Sequence, residues 1–488
     1  MFLALCPSIF VFSRQDWFIY SGVMSVLKVR EGFIILDTGT LPRRVVFTVI
    51  ILALVTPAIY RSYGIFRADR IIRAEQTFES YSRALQYDPA NATLWWHRGR
   101  LRHYSVGVVD ISQAISDYQK ALSLNPRLSQ AWVDLADCYE RTERYADAEE
   151  ALNKALTTHT YSPVTRWQAG NFFLRRGNLP RMYECFKMAS EYDPEKLGIA
   201  IEIAWKVDTN RMGILQKLVP DRLSANLRYF DFLLSRDELD LARAAWERLL
   251  KNDVPPESEF KVGSSFGYID RLLAKSRVEE AERVWDEALQ KAGSGLRDMR
   301  IVKQEPEGRP AGSRNLVWNG SFENEILQGG FDWRYPGMQD VQFQVDLNNC
   351  MEGLKCFTVT FGGTNISFSH LRQIIPIPSP GSYVLDFYLR TEGLTTDQTP
   401  YVSIQGYPEG SGASLRTDHF PESTGWEKMS CPFVVKENCK AIQFILRRDP
   451  SSKFDNQIKG SLWLDGISVH AEAVSTGAGT GRGAAAGN

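Results

Sequence analysis

Apolar positions along the chain follow two rhythms. Between residues 74 and 194, Phe78-x-x-Tyr81-x-x-Ala84-Leu85, closed by Asp88-Pro89, returns as Tyr118-x-x-Ala121-Leu122 before Asn125-Pro126. It recurs as Leu152-x-x-Ala155-Leu156, and as Phe186-x-x-Ala189 before Asp193-Pro194. Ala84, Ala121, Ala155 and Ala189 are separated by 37, 34 and 34 residues, a period that points to stacked helix pairs. In the first half of a unit, Trp132, Leu135, Ala136 and Tyr139 lie at i, i+3, i+4 and i+7, on one helical face. Trp95 with Gly99, and Gly170 with Phe173, carry the same marks in neighbouring units. Small residues at Gly99, Ala114, Ala136, Ala148 and Gly170 predict close helix–helix approach, and proline ends the pairs because it lacks an amide hydrogen. The three extra residues of the long unit belong in the turn at residues 104–109.

Helical periodicity persists to about residue 292 in looser form, with Ala242, Trp246 and Leu249, then Ala281, Trp285 and Ala288, 39 residues on. Five or six helix pairs over residues 70–292 would present a concave groove suited to a protein or peptide partner. Gly and Pro then fill a linker at 293–314. From Asn315 the period becomes two: Phe343-x-Val345, Phe357-x-Val359-x-Phe361, Tyr383-x-Leu385-x-Phe387-x-Leu389, Tyr401-x-Ser403-x-Gln405, Phe433-x-Val435 and Ile442-x-Phe444-x-Leu446. About eight short strands with turn residues between them predict a β-sandwich over 315–472, of which the jelly roll is the commonest form. The Gly/Ala-rich stretch 473–488 reads as a disordered tail.

Residues 45–60 are the hydrophobic outlier. A spanning helix needs roughly 20 apolar residues, so the run reaches across a bilayer only with snorkelling arginines, and an uncleaved anchor at 44–66 is expected. Lys28, Arg30, Arg43 and Arg44 before it balance Arg61, Arg67, Arg70 and Arg73 after it, so flanking charge leaves orientation open. In the segment 1–43, residues 1–23 are interrupted by Pro7, Arg14, Gln15 and Asp16, and translation is expected to start at Met24.

Residues 131–139, followed by Tyr145, Ala148, Leu152 and Ala155, resemble the tetratricopeptide repeat family nearly position for position. In the last third, residues 315–323 with their N-G-S-F-E, Trp333, residues 371–373 and 381–387, Trp426, and the closing L-D-G-I-S-V of 464–469 are similar to carbohydrate-binding modules of the galactose-binding-like jelly-roll type. The expected fold is therefore multidomain: one transmembrane helix, an all-α helical-repeat solenoid, then an all-β jelly-roll sandwich. The second resemblance implies sugar contact, for which Trp333, Tyr335, Tyr401, Tyr407 and Trp426 are the candidate aromatics. It also implies a structural calcium ion held by Glu323 and Asp465, carboxylate oxygens being the ligands calcium takes. Together the resemblances imply a non-catalytic scaffold that holds protein partners on the repeats and a polysaccharide on the sandwich, in export or assembly of a cell-surface polymer. A protein-only scaffold, an accessory subunit of a polysaccharide-processing enzyme and a cytoplasm-facing body are the alternatives.

Composition changes this picture little. Lys plus Arg number 57 and Asp plus Glu 58, which argues against an extended basic footprint for nucleic acid. Four of the seven cysteines, Cys350, Cys356, Cys431 and Cys439, fall in the last third, and the sequence-adjacent pairs 350/356 and 431/439 are the first expectation among three connectivities. Such bonds would place that part of the chain in an oxidising compartment, the bacterial periplasm, with the amino terminus in the cytoplasm and the anchor in the inner membrane. The six histidines form no metal or catalytic spacing, and no nucleophile elbow or P-loop is present, so no enzyme is expected.

Overall fold

The apolar run at 45–60 is the middle of one continuous helix. The computed structural model describes residues 27–30, 33–36, 41–251, 260–292 and 315–472 and divides the chain into two compact units, Met1–Asp193 and Pro194–Asn488. The start at Met24, the linker 293–314 and the tail 473–488 fall outside the described residues. A short hairpin, β1 (Leu27–Arg30) with β2 (Phe33–Leu36), precedes helix α1 (Leu41–Ala74). Along α1 large apolar side chains stay exposed from Val45 to Phe66. At 1.5 Å rise per residue that is about 33 Å, which matches the hydrocarbon thickness of a bilayer. The span is thus longer than the unbroken run of apolar letters, because Tyr60, Tyr63, Ile65 and Phe66 continue its surface beyond Arg61.

The last turns of α1 do a second job. Ala68 is buried, and Ile71 and Ile72 pack with Tyr81, Ala84 and Leu85 of α2 (Phe78–Tyr87) and with Leu94 of α3 (Ala92–Tyr104). No break separates the anchor from the repeats. The helix that is long and apolar enough to cross a membrane also supplies one member of the first helix pair.

The remaining pairs of the first unit are α3 with α4 (Ile111–Leu124), α5 (Ser129–Arg141) with α6 (Tyr145–Thr158), and α7 (Pro163–Arg175) with α8 (Leu179–Tyr192). Ala84, Ala121, Ala155 and Ala189 are all fully buried, as are Ala114 and Ala148; Ala136 and Tyr139 are buried too. The turn between α3 and α4 has six residues where the next two have three, which accounts for the 37-residue unit. Trp95 and Trp132, both half-buried, donate their indole N–H to the carbonyls of Pro89 and Pro126 at 2.8 and 2.9 Å. Each tryptophan thereby satisfies an acceptor in the turn that proline created.

In the second unit the helices are α9 (Lys196–Val207), α10 (Ile214–Lys217), α11 (Leu223–Ser235), α12 (Leu239–Lys251), α13 (Phe266–Ala274) and α14 (Val278–Ala292). Trp246 is wholly buried, and its indole N–H and the Arg243 guanidinium converge on the Glu287 carboxylate at 2.8 to 2.9 Å.

Nine strands follow: β3 (Val341–Asp346), β4 (Cys356–Thr364), β5 (Arg372–Pro376), β6 (Gly381–Glu392), β7 (Tyr401–Tyr407), β8 (Ser414–Arg416), β9 (Thr424–Val435), β10 (Ala441–Arg447) and β11 (Ile458–Ala471). They form two antiparallel sheets, ordered β3-β4-β11-β6-β9 and β5-β10-β7-β8. Phe357, Val359, Leu385, Phe387, Val402, Ile404, Ile442, Phe444 and Leu446 interleave between them as one core. Alternation selected these side chains, since successive residues of a strand face opposite ways.

The opening and closing sequence motifs meet in space. Leu316 N donates to Val469 O and Ile467 N to Gly320 O, each at 2.9 Å. Any Cβ on Gly320 would overlap the Ile467 carbonyl, so the N-G of the opening motif is a backbone close approach.

Within this unit the sandwich is docked on the last helix pair. The Trp285 ring meets Trp318 edge-on at 5.4 Å and Phe331 at 6.2 Å, and Arg334 grips Asp270 of α13 at 2.5 and 3.1 Å. The last helix pair and the sandwich of the second unit therefore share a packed junction.

Cys350 and Cys356 form a disulfide across the loop between β3 and β4. The second expected bond is absent: Cys431 and Cys439 are unpaired. Strand β9 carries the chain four residues past Cys431 before it turns, a displacement of about 13 Å, and the buried Cys439 thiol donates instead to Ala441 O at 3.1 Å.

Candidate functional site

Strands β7 and β10 lie side by side in the four-stranded sheet, with Gln405 opposite Gln443, Ser403 opposite Ile445 and Tyr401 opposite Arg447. Val402, Ile404, Ile442, Phe444 and Leu446 point into the core, so Tyr401, Ser403, Gln405, Tyr407, Gln443 and Arg447 share the outer face. They are tied together. Gln405 Nε2 donates to Gln443 Oε1 at 3.1 Å; Arg447 donates through Nε to Ser403 Oγ and through Nη2 to Gln405 Oε1, both at 2.9 Å. At one end Tyr401 O–H donates to Asp449 at 2.9 Å, and the Arg416 guanidinium of β8 lies over the Tyr401 ring at 4.0 Å. The result is an array of amides, a guanidinium and a phenol fixed before any ligand arrives, with Ser403 and Gln443 buried and Gln405, Tyr407 and Arg447 half-buried at its accessible edge.

The five aromatic candidates separate on this map. Tyr401 and Tyr407 stand on the outer face of β7, although Tyr401 is only 5% exposed, with Arg416 over its ring and His419 against it. Trp333 is a correction: it is wholly buried in the core, against Phe322 and Phe444 at 5.2 Å, and donates its indole N–H to Asn319 O. Tyr335 packs on Phe343 and Phe357 at the β3–β4 side. Trp426, on β9 in the other sheet, donates to Asn349 O of the disulfide loop.

Glu323 and Asp465 hold that same loop through main-chain amides. Glu323 Oε1 accepts from Leu354 N at 2.7 Å and Lys355 N at 2.9 Å. Asp465 Oδ2 accepts from Met351 N at 2.9 Å and Glu352 N at 2.8 Å, and Oδ1 from Gly466 N. Among the described residues no group of three or more His, Cys, Asp or Glu is placed to hold a metal ion.

Burial pushes the Asp465 carboxyl up to about 6 despite three amide donors, and the buried Asp332, which accepts from Leu327 N and Trp333 N, is pushed to about 6 for the same reason. A folded pKa above the ordinary value of about 3.9 means the folded state binds the extra proton between those values. Each group's stabilising contribution is therefore complete below about pH 4 and is lost as pH rises through about 6. Asp465→Asn is expected to flatten that part of the stability-versus-pH curve by on the order of 1–2 kcal/mol while lowering stability throughout, because an amide cannot accept on both sides. Urea melts at pH 4, 5, 6 and 7 check this, and an unchanged slope would contradict it.

A second surface lies in the first unit. A groove of about 380 Å³ runs between α3, α5 and α7, floored by Val133, Ala136 and Phe172 and lined by Tyr104, Asp134, Asp137, Glu140, Arg141 and Arg175. Its acids are answered by donors on α3, α5 and α7. Asp134 accepts from Trp96 Nε1 at 2.7 Å, and burial raises its pKa. Asp137 is held below the usual range: burial opposes this, but His103 Nε2 at 2.9 Å and Arg141 Nε at 3.0 Å outweigh it. Glu140 receives two N–H groups of Arg175 at 2.9 and 2.6 Å. His103, buried and stacked on Tyr104 at 3.9 Å, is a packing residue of this groove. Sequence spacing pointed to the helix but not to this network, because its partners are 30 to 38 residues apart.

Residues 110–160 match the tetratricopeptide repeat family model. No curated protein matches the chain. Similar solved structures include YrrB, described as a TPR protein with an unusual peptide-binding site, at 15% identity over 46% of this chain and 100% of that one, TM-score 0.23. TmCBM61 in complex with β-1,4-galactotriose is similar at 20% identity over 33% of this chain and 100% of that one, TM-score 0.24. A family 16 carbohydrate-binding module is similar at 15% identity over 32% and 99%, TM-score 0.24.

Proposed function

We propose that the protein is a membrane-anchored, non-catalytic scaffold that holds a protein partner in the repeat groove and a polysaccharide on the outer face of the four-stranded sheet, in export or assembly of a cell-surface polymer. The observation that carries the reading is the cross-strand array of Ser403, Gln405, Gln443 and Arg447. Sugars present hydroxyls around C–H patches, and amide and guanidinium groups already held in place bind such edges without paying to be ordered first. Spare N–H donors remain on Gln443 and Arg447 after the internal bonds are counted. A groove with apolar floor and mutually neutralised walls suits a peptide rather than a highly charged ligand. The Cys350–Cys356 bond supports a body on the oxidising side of an inner membrane, because the cytosol keeps thiols reduced.

The test is affinity electrophoresis of the detergent-solubilised full chain through gels cast with neutral and acidic polysaccharides. Retardation is expected for the wild type and its loss for the double variant Gln405→Ala, Gln443→Ala, with the thermal melt unchanged. Absence of retardation in every gel would leave the sandwich as a protein-only surface.

A further inference from the structure

The charge on the β7–β10 face is one-sided. Arg447 is half-buried and bonded only to the neutral Ser403 and Gln405; among the described residues no carboxylate lies within ion-pairing distance of it. Arg416 and Arg372 are exposed on the flanking strands β8 and β5. The acid nearest in this array, Asp449, is engaged by Tyr401 at 2.9 Å and by Arg416 at 3.6 Å. In a chain whose formal net charge is −1, this concentration of guanidinium is local.

A guanidinium stays protonated at any ordinary pH, so partial burial without a counter-ion carries a desolvation cost that an arriving anion would relieve. Arg334, Arg243 and Arg175 each close on a carboxylate through two N–H groups, and the wholly buried Arg448, though it meets no carboxylate, is bonded to Ile366 O, Asn365 Oδ1 and Asn456 O and faces no solvent. Ser403 and Gln405 fix the Arg447 fork and spend Nε and Nη2, which leaves Nη1 to donate. A carboxylate of an arriving anion can accept from that Nη1, and a bonded anion–guanidinium pair is stronger than a neutral contact.

We propose that Arg447 is the anion-recognising centre of this face and that the saccharide it takes is acidic, a polymer carrying uronate-type carboxylates. The proposal rests on the polysaccharide reading above and narrows it to a chemical class. Arg372, opposite Ile445, and Arg416, opposite Ser403, extend the positive field across the strands, so successive acidic residues of one polymer crossing the sheet meet successive cations. Binding then weakens as salt screens the exposed members of the set.

The experiment is calorimetric titration of the detergent-solubilised full chain with polygalacturonate, alginate and hyaluronan, each paired with its carboxyl-reduced neutral counterpart. The expected result is that at least one acidic polymer binds about 10-fold or more tighter than its reduced form. Arg447→Gln abolishes that preference, Arg447→Lys retains part of it, and neither variant moves the thermal melt. Equal binding of acidic and reduced polymers would overturn the acidic assignment while leaving the sheet face a sugar site. Binding of the acidic polymer that Arg447→Gln does not weaken would overturn the role of Arg447. No binding by any of the six would overturn this proposal, and retardation in neutral gels would then decide separately whether the broader reading stands.

Discussion

Trp333→Ala is expected to unfold the sandwich. The indole is wholly buried, tilted against Phe322 and edge-on to Phe444, and its N–H is satisfied by Asn319 O at 2.9 Å. Removing it leaves a large cavity and an unpaired buried carbonyl, which costs about 3–5 kcal/mol and, for a body of this size, roughly 10 °C or more in Tm. Calorimetry of the full chain resolves the loss, and any sugar binding disappears with it. Tyr401→Ala separates structure from contact. Its ring lies on the outer face between Arg416 and His419, outside the sandwich core, so binding should fall with a smaller change in Tm. Equal Tm losses for the two variants would mean that Tyr401 is structural as well.

The second large effect belongs to the repeats. A Cβ on Gly170 would come within 2.5 Å of two carbons of the Phe186 ring. That ring is fully buried and stacked on Trp167 at 4.6 Å, so it has no room to swing away. Gly170→Val adds branching to this overlap and is expected to destabilise α7–α8 by about 1–3 kcal/mol or more, seen as an early loss of helical circular dichroism. Gly198 is the internal control. It sits in α9 with nothing near its Cβ position, and Gly198→Ala should be neutral or stabilising by about 0.5–1 kcal/mol.

These two cases mark what local sequence does and does not disclose. Gly170 was legible because small residues at fixed helical spacing have few meanings other than close approach. The buried alanines of the 34-residue period were legible for the same reason. Strand alternation likewise marked Tyr401, Ser403 and Gln405 as sharing one face of a strand, without saying which face is the core. Aromatic residues in turns carry no such signature: Trp333 and Trp426 both precede or follow turn-rich stretches, yet one is core and the other reaches a loop carbonyl.

The polar array was invisible for a topological reason. Ser403 and Arg447 are 44 residues apart and meet because β7 inserts between β8 and β10. The cysteines repeat the lesson at shorter range. Cys350 and Cys356 flank a loop that returns on itself, whereas Cys431 and Cys439 are divided by extended chain. The anchor, finally, was expected at 44–66 although its unbroken apolar run covers only 45–60; exposure along α1 continues to Phe66 and the same helix then enters the first repeat pair.

Hydroxyl-radical footprinting of the full chain, with and without a saturating polysaccharide that binds it, addresses the central claim most directly because it reads side-chain cover residue by residue. The account predicts protection at Tyr407, Arg416 and Arg447 on the outer face of the four-stranded sheet, with Trp426 and Tyr335 unchanged. Protection confined to Trp426 and the 346–356 loop, with Tyr407 and Arg447 reacting as before, would contradict it.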